Sequence, residues 1–180
     1  MATVSYTLAS AQDNSPQSNV TNYADYNQDF GPSNIDRRNA LVASGSTLLP
    51  YKITLGGIWT VRSSLPFNAY SGSFDADGTA QYVAGTSRNQ GNRNLKLNLI
   101  GVPASQIQSS KYNDFDLRIS KTVQLRENMS IEVIGQAFNL FGHLNLLGAN
   151  QVTNATASTF GEITNASNAQ EGELAAIFRF

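Results

Sequence analysis

The alternation of apolar and polar side chains over residues 114–125 constrains the fold of this chain more than any other feature of its sequence. Every second residue there is apolar, and these residues are Phe115, Leu117, Ile119, Val123 and Leu125. The residues between them are polar or charged, and Lys121 is the one interruption on the apolar side. A period of two is the side-chain repeat of a β-strand, whereas a helix repeats every 3.6 residues. The segment is therefore predicted to be a long strand with one face in apolar surroundings.

Five further segments carry weaker forms of the pattern and bring the number of predicted strands to six. They are residues 3–11, 38–49, 52–63, 130–141 and 173–180. The connections alternate in length, because residues 12–36, 64–113 and 142–172 are long whereas the breaks at Pro50 and at 126–129 are short. An antiparallel meander with this alternation has every long connection at one end. Short periplasmic turns and long extracellular loops are the rule in outer-membrane barrels.

Composition excludes several other classes of protein. Only 14% of the 180 residues are charged and the net charge is −1, so no nucleic-acid partner is expected. With no cysteine and one histidine, the sequence offers no disulfide framework and no Cys- or His-rich metal site. No apolar run is long enough for a transmembrane helix, and the first residues lack the basic and apolar regions of a signal peptide.

Two other architectures compete with a large membrane barrel. A soluble β-sandwich that acts as a binding or adhesion module also alternates in polarity, but its turns recur about every 8 to 12 residues. A complete small barrel of about eight strands would need another hairpin in the longest connection, for instance over 81–85 and 94–102. The connection lengths favour the membrane barrel over the sandwich.

Short phrases spread over the whole chain also carry a resemblance. They are residues 4–8 leading to Asp13 and Asn14, 35–42, Leu49-Pro50, 62–67, 114–121, 137–141 followed by Asn145, 159–164, and the terminal Phe180. In this order they resemble the C-terminal end of the TonB-dependent outer-membrane transporters. Within these, the resemblance is to the Oar-like group, which has an N-terminal carboxypeptidase-regulatory-like domain.

The resemblance implies an all-β fold, an antiparallel up-and-down meander of about six long strands within a large transmembrane β-barrel. Such transporters have about 22 strands and a plugged lumen, so residues 1–180 would be the C-terminal part of the barrel. The plug domain, the TonB box and the signal peptide would lie upstream of Met1, and the chain is expected to be a fragment. The implied location is the outer membrane of a Gram-negative bacterium, and the implied function is uptake of an unidentified substrate. The implied partners are membrane lipid, the barrel-assembly machinery, and TonB through the plug region.

Aromatic residues provide the candidate interaction sites. Phe178 and Phe180 resemble the C-terminal signal that the barrel-assembly machinery recognises, for which strand addition at an exposed edge is a suitable mechanism. An ordinary terminal strand with a lipid-facing phenylalanine is the alternative. Four further residues are candidates for interfacial girdles or for plain packing on the sheet: Tyr51, Trp59, Phe67 and Tyr70.

Neither a catalytic site nor a cofactor is predicted. Asp75 and Asp77 have the spacing of a calcium loop, but Ala84 stands where the bidentate glutamate would be, so a simple turn is favoured. Asp114, Asp116 and Arg118 alternate on one strand face and predict a charge ladder towards a polar lumen rather than a catalytic site. The sequence contains no phosphate loop or nucleophile elbow. The chain is therefore not expected to be an enzyme.

Overall fold

The computed structural model describes residues 1–14, 26–74, 80–83, 104–148, 151–167 and 169–180. Within these ranges the strands are β1 (Ala2–Leu8), β2 (Gln12–Asp13), β3 (Gly31–Pro32), β4 (Asn39–Leu49), β5 (Ile53–Arg62), β6 (Tyr70–Phe74), β7 (Ala80–Tyr82), β8 (Tyr112–Arg126), β9 (Met129–Phe138) and β10 (Glu171–Arg179). Short 3₁₀ segments lie at Tyr26–Asp29, Pro50–Lys52 and Ala104–Gln106. No helix in these ranges is long and apolar enough to cross a membrane.

Six of the strands form one sheet in the order β1-β4-β5-β8-β9-β10, and every neighbouring pair is antiparallel. The predicted all-β meander of six strands is thereby confirmed. Strand β9 ends at Phe138, earlier than predicted, because Asn139 has a φ of 47° and turns the chain out of the sheet. Strands β1 and β10 are the two edges, so the sheet of the described residues is open.

All long connections lie at the same end of the sheet, as the sequence predicts. Residues 9–38, 63–111 and 139–170 join the strands at this loop end, whereas Pro50–Lys52 and residues 127–128 reverse the chain at the opposite, turn end. Tyr51 and Lys52 have φ angles of 65° and 59°. Two successive residues with positive φ match the twist of antiparallel strands, which explains how so short a link joins β4 to β5.

The strand register separates the sheet into an apolar face and a polar face. On β8 the apolar face carries Phe115, Leu117, Ile119, Lys121, Val123 and Leu125. The polar face of the same strand carries Tyr112, Asp114, Asp116, Arg118, Ser120, Thr122 and Gln124. Leu174 and Val4, on the apolar face of the edge strands, are 90% and 70% exposed. An apolar face this open requires an apolar medium around it.

The main hydrophobic core lies in the connections at the loop end and not in the sheet. It consists of Phe67, Ala69, Val83 and Phe160, with Ile107 and Ala155 packed against it. Phe160 is fully buried, and its ring centre lies 5.9 Å from that of Phe67. The described residues of 63–83, 104–111 and 145–167 are called the cap below. The described parts of these connections, which the sequence predicts as long polar loops, therefore form a packed unit.

A small hairpin belongs to this cap. Strand β6 pairs with β7 in a sheet of two strands, separate from the six-stranded sheet. The ring centres of Tyr70 and Tyr82, paired across it, lie 5.2 Å apart. The alternative hairpin over 81–85 and 94–102 falls mostly outside the described residues.

Replacing Leu117 by lysine should destabilise the protein, because Leu117 lies in the middle of the apolar face. A lysine on the lipid side of a barrel costs about 2–4 kcal/mol at mid-membrane depth. The free energy of unfolding, measured with urea in phospholipid vesicles, should fall by this amount. In the control Gln136→Lys, the new charge lies on the polar face beside Glu173, and the change should stay within about 0.5 kcal/mol. Equal losses in the two variants would contradict the assignment of the faces.

Replacing Phe160 by alanine should loosen the cap and leave the sheet intact. Truncation of a buried phenylalanine costs about 3–5 kcal/mol, and this loss should appear as faster amide hydrogen exchange at residues 67–70 and 152–161. Amides of β8 and β9 should keep their protection. Thr159→Ala is the matched control, because Thr159 is exposed. Uniformly faster exchange over the whole sheet would show that the cap is not a separate packing unit.

Candidate functional site

Ionisable side chains follow the polar face of β8 from the loop end. The Tyr112 hydroxyl donates a hydrogen bond to Asp114 Oδ2 at 3.0 Å. The guanidinium of Arg62, on the neighbouring strand, lies 5.5 Å from the centre of the Tyr112 ring in a cation–π contact. Asp116 Oδ1 accepts a hydrogen bond from the backbone N–H of Asn139 at 3.0 Å. The two predicted carboxylates thus share one face, and each has a separate partner.

A second charged group lies closer to the turn end, where Glu132 of β9 stands between two arginines. Its carboxylate oxygens lie 2.8 Å from Arg179 Nη2 on β10 and 4.0 Å from Arg118 Nη2 on β8. On the same face, Gln136 Nε2 donates a hydrogen bond to Glu173 Oε2 at 3.2 Å. Charges this close together are stable only in water or against other polar groups. The polar face is therefore suited to a wet or protein-filled interior.

Sequence reasoning missed Tyr112, Glu132 and Arg179 as members of this face. Tyr112 lies two residues before Asp114, so the period of two that places Asp114 and Asp116 on one face could also have placed Tyr112 there. Glu132 and Arg179 become neighbours only through the pairing of β9 with β10, and no local signal in the sequence contains that register.

Two depressions in the polar face share Asp116 and Phe138. The first lies at the loop end, has a volume of about 310 Å³, and is also lined by Tyr112, Asp114, Asn139, Asn145, Ser167, Ala169 and Glu171. The second, of about 520 Å³, lies over Gly56 and Arg118. In the described part of the chain, Asp114 Oδ1 is buried without a hydrogen-bond partner. Because buried acceptors are normally satisfied, a hydroxyl or ammonium group entering the first depression would supply that partner.

Asparagine side chains hold β8, β9 and the cap together at the loop end. Asn145 is buried, its Oδ1 accepts from the Asn113 N–H at 2.8 Å, and its Nδ2 donates to the Asn113 carbonyl at 3.0 Å. Asn139 makes the same reciprocal pair with the backbone of His143, at 3.0 and 2.9 Å. These amides replace the backbone partners that the strands lose where they leave the sheet.

Arg37 links the first long connection to the cap. Its Nη1 donates hydrogen bonds to the carbonyl oxygens of Ser63 at 2.7 Å and Ser110 at 3.3 Å. Ser110 is fully buried, and its Oγ accepts from the Leu65 N–H at 2.9 Å. Partial burial lowers the pKa of Arg37 from its ordinary value, and the positive charge of Arg62 lowers it further. A guanidinium remains charged in proteins, so these hydrogen bonds are charge-assisted.

Comparison with known proteins decides the family. Residues 1–179 match the family model described as outer membrane beta barrel domain. The chain belongs to this family. No curated protein and no solved structure matched the chain. The family confirms the predicted location in the outer membrane.

Membership of the outer membrane β-barrel family indicates what each face of the sheet contacts. The apolar face of the sheet meets lipid, and the polar face with its two depressions meets the barrel interior. Barrels of this kind have short turns at the periplasmic side and long loops at the cell surface. The turn end therefore lies in the periplasm, and the cap lies at the extracellular mouth.

Two of the four predicted girdle aromatics lie on the barrel wall. Trp59 is on the apolar face, and its Nε1 donates to Asn113 Oδ1 at 2.8 Å, which leaves the ring free for lipid and its polar atom satisfied. Tyr51 lies in the periplasmic turn and is 84% exposed. Both positions suit a membrane interface, and the girdle role itself stays a prediction.

The other two aromatics, Phe67 and Tyr70, lie inside the cap instead of at the membrane interface. Phe67 is 5% exposed and packs against Phe160, while Tyr70 stacks on Tyr82. Both residues thus occupy packing positions in the cap, where the sequence left a girdle role and a packing role open. The physical reason is that the long connection folds back on itself, so its aromatics supply the core of the cap.

The remaining predicted site residues lie at the chain end and in the longest connection. Phe178 is on the apolar face of β10, and its ring centre lies 6.0 Å from that of Phe180. Their recognition by the assembly machinery stays a prediction. Asp75 and Asp77 lie outside the described residues. In the ranges that are described, no group of three or more His, Asp or Glu residues could hold a metal ion.

Replacing Asn145 by alanine should weaken the junction at the extracellular mouth. The change leaves the N–H and the carbonyl of Asn113 without their partners, at a cost of about 1–3 kcal/mol each. The Asn113 amide should exchange its hydrogen at least tenfold faster, which nuclear magnetic resonance or mass spectrometry would detect. Asn165→Ala is the control, because Asn165 is exposed and its backbone carbonyl, not its side chain, accepts from Leu147. Unchanged exchange at Asn113 would show that Asn145 is dispensable there.

Proposed function

We propose that residues 1–180 are the C-terminal strands and loops of a TonB-dependent receptor of the Oar-like group, which takes up a substrate through the outer membrane. The observation that carries the proposal is the packed cap above an ionised interior face. A wall with those properties suits a barrel that captures a molecule at its mouth and passes it inward. The chain itself is assigned no enzymatic activity.

The polar face favours a wide barrel over a small one. In a barrel of about eight strands, side chains just fill the interior. Here Gly56 and its neighbours leave a depression of about 520 Å³ on the interior face, which suits a lumen that holds water or a plug. Strands β1 and β10 are open edges, and hydrocarbon does not tolerate unpaired backbone groups. We therefore assign the missing strands, together with the plug that contacts TonB, to other parts of the same polypeptide.

The interior depression beneath the cap is the proposed entry site. Tyr112, Asp114, Asp116 and Glu171 line it, and the carboxylate oxygens among them accept hydrogen bonds. A substrate with hydroxyl or ammonium groups would meet these acceptors first. Energy for passage would come from TonB, and Phe178 and Phe180 would guide the barrel-assembly machinery.

The two alternative architectures gain no comparable support. A soluble sandwich needs a second sheet against the apolar face, but the small sheets β2–β3 and β6–β7 both lie in the connections of the loop end. An eight-stranded barrel needs another hairpin in the main sheet; among the described residues the further hairpin β6–β7 is separate from that sheet, and the hairpin considered over 81–85 and 94–102 lies mostly outside them.

Deleting the gene for this chain and deleting tonB in the source bacterium should produce an overlapping growth defect. We expect at least one nutrient in a panel of scarce carbon, iron and oligosaccharide sources to fail in both deletions, because both would abolish the same energised uptake. A plasmid copy should restore growth in the first strain only. A gene-deletion defect on a nutrient that the tonB strain still uses normally would contradict TonB dependence, while leaving the barrel assignment intact.

A further inference from the structure

Lys121 is a charged residue within the apolar run of β8. Its neighbours on this face are Ile53 and Val133 across the sheet, and Ile119 and Val123 along β8. No carboxylate lies on the face in the described part of the chain, and Lys121 makes no ion pair there. A lysine facing lipid without a partner is destabilising, although less so near an interface. An anion from outside the protein would remove that cost.

Lys121 lies at the level of the β4–β5 turn, near a second cation in the register of the sheet. Its cross-strand partner Ile53 directly follows the turn Pro50–Lys52. Lys52 is therefore one residue away from the pair, is exposed, and forms no ion pair within the described ranges. Tyr51, with its hydroxyl, occupies the same turn and is largely exposed. The register thus places two lysines and a tyrosine near one periplasmic corner of the wall, and their ammonium and hydroxyl groups are donors that suit a phosphate group.

A separate groove on the apolar face lies further from the turn end than this corner, and Met1 and Ala2 also line it. It has a volume of about 480 Å³, and its lining includes Gly45, Thr47, Leu55, Gly57, Phe115 and Leu117. Gly45 and Gly57 pair directly and form the floor. Phe115 forms one side, since a Cβ on Gly57 would lie 3.3 Å from its ring. Leu55 pairs with Ile119, two residues or about 7 Å along β8 from Lys121.

We propose that this corner and groove bind one anionic phospholipid of the inner leaflet. Its phosphate lies between Lys121 and Lys52, and one acyl chain lies in the groove over Gly57. The inner leaflet is the source because the turn end is periplasmic. The charge complementarity of the corner selects an anionic headgroup, and the acyl chain lies in the groove beside Leu55 and the Phe115 ring. The proposal rests on the barrel family and not on the proposed transport.

The test measures lipid selectivity at this corner of the wall. Residues 1–180 contain no cysteine, so Leu49→Cys in the complete gene product, with any cysteine elsewhere replaced by serine, carries a single bimane fluorophore on the same face and outside the groove lining. The protein is reconstituted in vesicles of phosphatidylcholine and phosphatidylglycerol, with bromine on the acyl chains of one lipid or the other. Bromine quenches the fluorophore on contact. The association constant of the site for phosphatidylglycerol should exceed that for phosphatidylcholine by about fivefold or more for each cation that contacts the phosphate.

Variants identify the responsible charges. Lys121→Gln should reduce the selectivity to near one, Lys52→Gln should reduce it in part, and Lys121→Arg should retain it because a guanidinium also binds phosphate. Lys111→Gln is the matched control, since Lys111 is exposed at the opposite end of the barrel, and it should change nothing. Equal quenching by the two lipids in the parent protein would overturn the proposal. Selectivity that survives Lys121→Gln in a correctly folded barrel would overturn it as well.

Discussion

A strand that crosses a membrane in a barrel wall must form its backbone hydrogen bonds with the neighbouring strands. At the same time, one of its faces contacts lipid and the other faces the barrel interior. In this chain the constraint appears as strict register. Leu117 lies between Gly57 and Ala137 on the lipid side, and the next residue, Arg118, faces the interior. A shift of one residue would exchange the two faces of the strand. The sequence alternation, the antiparallel pairing and the location in the outer membrane are therefore expressions of the same physical requirement.

A wall with lipid on one side and an aqueous interior on the other cannot contain a conventional core. The buried apolar side chains of this chain are accordingly concentrated in the cap, around Phe160. Polar groups buried with them have partners: Arg37 binds two carbonyl oxygens, and Asn145 satisfies both backbone groups of Asn113. The cap is thus stabilised as a small globular domain would be, whereas the wall depends on its surroundings.

Charge follows the same division between the two faces. On the interior face Glu132 is paired across strands with Arg179, whereas Asp114 at the loop end has a carboxylate oxygen without a partner. Lys121 differs because it lies on the lipid face, where the described strands offer no carboxylate. The structure combines that cation with a periplasmic turn and a glycine-floored groove. The single interruption of the alternation in β8 is therefore the residue on which the proposed lipid site depends.

The sequence by itself determined the strand class, the six strands, the single end that carries the long connections, and which residues of β8 share a face. These properties depend on local period and on connection length, both of which are properties of a linear chain. Only the tertiary structure decided that Phe67 and Tyr70 belong to the cap, that Glu132 meets Arg179, and that Tyr112 caps a depression with Asp114. Those contacts join residues far apart in the chain, and their formation depends on strand pairing and on the packing of the connections, which no local pattern contains.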